Sequence, residues 1–150
     1  GDCTFLTFLR HDGTGARWLI GWSSKLLTQK SGATATTELA AHQRGLEARA
    51  MPISLFLEDL TGFEVPIRGN LDNAAAVSAI RHGYSAALRH LARHSRLSLT
   101  HLNSFYLAGA NQLSYVKTGD NIADIYTKAL SENLHWQFVT ALHMWNSRLS

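Results

Sequence analysis

Apolar and polar positions along this chain change their period several times, and each change predicts a new element. Thr4-Phe5-Leu6-Thr7-Phe8-Leu9 is rich in β-branched and aromatic residues, His11-Asp12-Gly13-Thr14 is a turn sequence, and Trp18-Leu19-Ile20-Gly21-Trp22 returns. Two such runs around an Asp-Gly pair predict a β-hairpin. From Thr36 to about Met51 the apolar spacing is helical and alanine-rich, and Ile53 to Leu60 continues as a second helical piece after Pro52. Val65 to Leu71 reads as a strand ending at Asp72-Asn73. Helices are expected over Ala74–Arg81 and Ser85–Leu102, and a strand over Gln112–Lys117, broken by Gly119-Asp120-Asn121. Ile122–Ala129 predicts a short helix, and Ser131 caps a last one with Leu134, Phe138 and Leu142 on one face. With the pieces around Pro52 counted as one region, the order is β-β-α-β-α-α-β-α. A hairpin followed by strands alternating with helices predicts an α/β fold with one mixed β-sheet flanked by helices.

Composition narrows this picture. The 150 residues are 45% hydrophobic and 17% charged, which predicts one globular domain over 1–150 rather than a disordered chain. No apolar run is long enough to predict a membrane span. The single Cys3 excludes an internal disulfide and any multi-cysteine zinc site, which suits an intracellular setting, mitochondrion or cytoplasm. The chain opens at Gly1 without an initiator methionine, as expected of a processed chain or a piece of something longer.

Charge changes it further. There are 14 Lys and Arg against 11 Asp and Glu. Arg81, Arg89, Arg93 and Arg96, with His82, His90, His94 and His101, fall in one stretch without an acidic residue. Such a block is either a solvated basic helix face or a binding surface for a polyanion. Arg89, Arg93 and Arg96 follow i, i+4 and i+7 spacing, so one helical face would carry all three. His90 and His94 are also spaced i, i+4, but with no third ligand evident they suit phosphate or solvent better than a metal. Trp18, Trp22, Trp136 and Trp145 could stack on bases, although packing in a core or interface is the expectation for the first three.

Three acidic residues sit at strand-to-helix junctions or just inside helices: Glu38, Asp72 and Asp124. Taken singly, Asp72 could cap the helix that follows, and Glu38 and Asp124 could sit in first turns, where the helix dipole favours a carboxylate. Taken together, three carboxylates are what a pair of Mg²⁺ ions needs to activate a water and stabilise a departing phosphodiester oxygen.

Their context resembles one family. Trp22-Ser23-Ser24-Lys25 followed by Ala35-Thr36-Thr37-Glu38-Leu39-Ala40-Ala41 is similar to W-S-S-K followed by S-S-T-E-A-E-Y. Leu71-Asp72-Asn73 before an Ala-rich helix resembles C-D-N-Q-S-A, and Arg89-His90 stands at the place of K-H-I. Tyr115-Val116 with Thr118, then Ile122-Ala123-Asp124-Ile125-Tyr126-Thr127-Lys128-Ala129-Leu130, is similar to Y-V-x-T and A-D-I-F-T-K-P-L. These are motifs of the RNase H domain of copia-type LTR retrotransposon reverse transcriptase polyproteins, and the resemblance runs over essentially the whole chain. Ala129 departs from the family's proline, and Leu88 from the threonine of its T-K-H.

The resemblance implies an RNase H-like fold, Mg²⁺ as cofactor, and Glu38, Asp72 and Asp124 as catalytic and metal ligands. It implies RNA or an RNA–DNA hybrid as partner, with Arg81, Arg89, His90, Arg93 and Arg96 as the candidate contacts. It also exposes a gap. The family's first aspartate, which bridges both metals, lies further before the tryptophan than the 21 residues that precede Trp22 here. Aligned on the second strand, Asp2 stands at that strand's start and does not replace it. The first strand is therefore expected to be missing, with another polypeptide or an upstream segment supplying it. Two functions remain open: an inactive, RNA-binding subunit of a larger ribonucleoprotein such as a ribosome or organellar ribosome, and an active ribonuclease H of a reverse transcriptase.

Overall fold

The computed structural model describes residues 2–9, 15–23, 34–86 and 98–142. They belong to two compact units, one formed by Gly1–Lys25 with Gly119–Ser150, the other by Leu26–Thr118. The architecture is α/β.

In the first unit, strands β1 (Asp2–Leu9) and β2 (Gly15–Ser23) form the expected antiparallel hairpin. Cys3 pairs with Trp22 and Thr4 with Gly21, but Phe5 pairs with Leu19 and Leu6 with Trp18, so Ile20 is an extra residue in β2. Such a bulge breaks the two-residue alternation. Trp18 and Trp22, an even number apart, consequently lie on opposite faces of the hairpin. A 3₁₀ segment over Ile122–Tyr126 contacts β1 and helix α5 (Glu132–Ala141). Phe138, Val139 and Leu142 are the buried residues of α5 and its C-cap. The helix expected over Ile122–Ala129 is thus one tight 3₁₀ turn followed by irregular chain.

In the second unit, α1 (Thr34–Gly45), a π-helical turn (Leu46–Ala50) and α2 (Met51–Thr61) form one unbroken helical run. The sequence suggested a break at Pro52. The backbone instead widens just before it, with the Met51 N–H bonded to the Leu46 carbonyl. The wide turn makes room for a ring that would press on the carbonyl four residues back in a regular helix. Strand β3 (Arg68–Leu71), helices α3 (Ala74–His82) and α4 (Leu99–Leu107), and strand β4 (Gln112–Tyr115) follow. β3 and β4 run parallel, and the intervening helices supply the long crossover that parallel neighbours need. Both are shorter than their apolar patterns suggested.

Helix α4 corrects the span expected over Ser85–Leu102. Ser98 has extended backbone and its hydroxyl accepts from the His101 N–H, so a separate helix starts at Leu99 and runs on to Leu107. The core of this unit joins Leu39, Leu46, Leu71, Ala76, Val77, Ile80, Leu99, Leu102 and Leu113. Along β3, Gly69 and Leu71 face that core while Arg68 and Asn70 are exposed. Instead of one mixed sheet, the described strands form two two-stranded sheets, one antiparallel and one parallel. Of the core or interface packing expected for Trp18 and Trp22, the core alternative does not hold, since they are 50% and 59% exposed. No described helix is long and apolar enough to cross a membrane.

Candidate functional site

Asp124 is the most fully determined of the three acidic candidates. Asn121 caps the 3₁₀ turn, its side-chain oxygen accepting from the Ala123 N–H at 3.2 Å, and its backbone carbonyl accepts from the Asp124 N–H at 3.0 Å. This geometry buries Asp124 to 6% exposure. Its Oδ2 accepts from Lys128 Nζ at 2.7 Å, and its Oδ1 from the Asn121 side-chain amide at 3.5 Å. Its backbone carbonyl takes the Thr127 and Lys128 N–H groups. The Asp and the Lys of Ala123-Asp124-Ile125-Tyr126-Thr127-Lys128 are therefore one local device: a buried carboxylate neutralised by an ammonium one turn on.

Glu38 and Asp72 belong to the other unit. Glu38 is half-buried in the second turn of α1, not the first, so the helix-dipole account of it fails. Asp72 follows β3 directly, but the cap of α3 is its neighbour: Asn73 Oδ1 accepts from the Ala76 N–H at 3.1 Å. The expectation that Asp72 caps this helix is corrected accordingly. Each carboxylate adjoins a core leucine, Glu38 beside Leu39 and Asp72 beside Leu71, and α1 contacts β3. Within neither unit do three or more described His, Cys, Asp or Glu side chains gather as a metal site.

Asp124 is already paired with an ammonium. A hard cation at Asp124 would have to displace Lys128 from the oxygen it needs.

Of the basic stretch, Arg89, His90, Arg93 and Arg96, together with His94, lie outside the described residues. The described members are engaged locally. A guanidinium N–H of Arg81 donates to the Leu113 carbonyl of β4 at 3.0 Å. His82 Nδ1 is 2.8 Å from the Ser78 carbonyl in its own helix. His101 Nε2 stands 3.7 Å from Glu47, an acidic neighbour the linear pattern did not reveal.

Two aromatic arrangements also escaped the sequence. In the first unit Trp22 stacks on Tyr126, centroids 5.8 Å apart and planes inclined by 16°. Burial, and then the proximity of Cys3, push the Tyr126 hydroxyl pKa upward. In the second unit Tyr106 of α4 shares a hydrogen bond with His42 of α1 at 2.7 Å. Gly69 of β3 lies against that pair: a β-carbon there would overlap the Tyr106 hydroxyl and stand 2.8 Å from His42 Cε1. Burial raises the Tyr106 pKa well above its ordinary 10.0. A glycine inside a strand was the one available signal, since it marks close approach of a neighbour.

Fold and site define an α/β protein whose acidic candidates are half-buried or buried. Set against protein-family models, curated proteins and solved structures, the chain matches none.

Proposed function

We propose that this chain is a copia-type RNase H-like domain that has lost nuclease activity and serves as an RNA-binding, structural subunit of a larger ribonucleoprotein, of which a ribosome or organellar ribosome is one form. The observation that carries this reading is the stretch from Arg81 to His101, which holds four arginines and four histidines and no acidic residue. Asp124 is held by the Lys128 ammonium at 2.7 Å, a pair that a metal ion on the same oxygen would have to open. Arg89, Arg93 and Arg96, with His90, supply the RNA contacts, because arginines repeated at i, i+4 and i+7 in the sequence suit a phosphate backbone. Another polypeptide or segment completes the sheet.

The test is cleavage of a labelled RNA–DNA hybrid in Mg²⁺ beside an active ribonuclease H. No cleavage is expected from the wild type or from Lys128→Met, which uncovers Asp124. Robust cleavage that disappears in Asp72→Asn would establish the enzyme instead, with Glu38, Asp72 and Asp124 as its metal ligands.

A further inference from the structure

Helix α2 is apolar on both sides. Met51, Ile53 and Leu57 are half-buried toward the unit's interior, and Ser54 is buried with its hydroxyl donating to the Val65 carbonyl at 2.6 Å. On the opposite side Leu55, Phe56 and Leu60 are 61%, 64% and 69% exposed. Phe63, just past the left-handed Gly62 that ends the helix, is 76% exposed. Helical spacing puts Phe56 and Leu60 one turn apart and Leu55 beside them. A helix that is apolar all round is ordinarily covered all round, and a contiguous apolar patch of this kind marks a contact surface.

Charge selects the occupant. Between Met51 and Ile67 the chain carries Glu58, Asp59 and Glu64 and no Lys, Arg or His, in a protein whose net charge is +3. Glu58 is turned to internal use, its Oε1 accepting from the Val65 N–H at 2.9 Å. Glu64 Oε1 likewise accepts from the Ala110 N–H at 3.3 Å, whereas Asp59 is exposed and lies on the helical face between Leu55 and Phe56. A carboxylate set among aliphatic and aromatic anchors repels RNA and anionic lipid alike. A second copy pairing through the same face would set Asp59 against Asp59. A helix with an apolar stripe and flanking Lys or Arg satisfies both features at once.

We propose that the outer face of α2, built by Leu55, Phe56, Asp59 and Leu60, docks a basic amphipathic helix of a partner protein. This surface stands independently of the nucleic-acid reading. The probe is a fluorescent synthetic peptide with leucines at helical core spacing and lysines elsewhere, titrated into the full chain. A scrambled peptide of the same composition serves as comparison. Saturable binding is expected for the patterned peptide, with affinity falling about tenfold in Phe56→Ser or Leu60→Ser, as for one interface anchor removed. A similar loss is expected in Asp59→Lys. All three sites are exposed, so unchanged circular dichroism will separate lost docking from lost folding. Equal binding of the scrambled peptide, or indifference to Asp59→Lys, overturns the proposal. So does a concentration-dependent dimer in sedimentation that Phe56→Ser abolishes, which would make a second copy the occupant, or binding of the chain to phosphatidylserine vesicles through this face.

Discussion

Gly69 has no side chain because Tyr106 and His42 occupy the space one would fill. Gly69→Ala should therefore lower stability by about 2 kcal/mol or more, in the range of overpacked cores, read as a shift in the urea midpoint. Tyr106→Phe in the same background should recover only part of it. Removing the hydroxyl leaves the tyrosine ring carbon 2.9 Å and His42 Cε1 2.8 Å from the new methyl. Full recovery would mean the hydroxyl alone sets the packing. The same tyrosine predicts a pH dependence. Its folded pKa is raised above 10.0 by burial, so its contribution to stability is whole below pH 10 and is lost as pH climbs through the folded value. Denaturation midpoints from pH 8 to 11 should fall beyond pH 10 by at most about 1.4 kcal/mol per pH unit on this account. Tyr106→Phe should flatten that fall, and an unchanged slope would place the tyrosine outside the alkaline transition.

Among the elements, the caps give a sharp comparison. Asn73→Ala removes the hydrogen bond to the Ala76 N–H and should cost about 1 kcal/mol, whereas Asp72→Ala should cost little through this helix. The reverse order in thermal melts would return the cap to Asp72. Much of this level was legible in the sequence, because period and turn chemistry are local. The hairpin, the helices after Thr34 and Asn73, strands around Leu71 and Leu113, and the last helix from Glu132 all stand where apolar spacing put them. Failures came where a distant or subtle partner decides the outcome. Proline suggested a helix break at Pro52, but one π turn absorbs it. Ser98 looked like mid-helix sequence, yet its backbone is extended and caps a new helix. The bulge at Ile20 follows from pairing with β1 rather than from any feature of β2 alone. Glu38, Asp72 and Asp124 could be picked out as a set, but not the ion pair that occupies Asp124, since Lys128 reads from sequence only as part of a motif.

On the scale of the whole molecule, charge is segregated along the chain. Acids without bases mark 51–67, and arginines without acids mark 81–101. The two surfaces should therefore respond to different partners. The triple variant Arg89→Ala, Arg93→Ala, Arg96→Ala should weaken RNA binding and reduce the slope of log affinity against log salt by roughly one unit per arginine. Phe56→Ser with Leu60→Ser should leave both quantities alone. An unchanged slope in the triple variant would reduce the basic stretch to a solvated face.

The unit that holds the hairpin is made of two pieces, Gly1–Lys25 and Gly119–Ser150, with all of the other unit between them in the chain. During synthesis this separates birth from completion. Leu26–Thr118 can close on itself as soon as its last strand leaves the ribosome, but β1 and β2 must wait for Tyr126 and α5. At about 5–20 residues per second, the 93 residues of Leu26–Thr118 impose a delay of roughly 5–20 s. For that time Trp22 has no tyrosine to stack on and the hairpin has only its own two strands. The order of emergence thus makes the hairpin, translated first, part of the unit that matures last, and leaves it for a chaperone to shield.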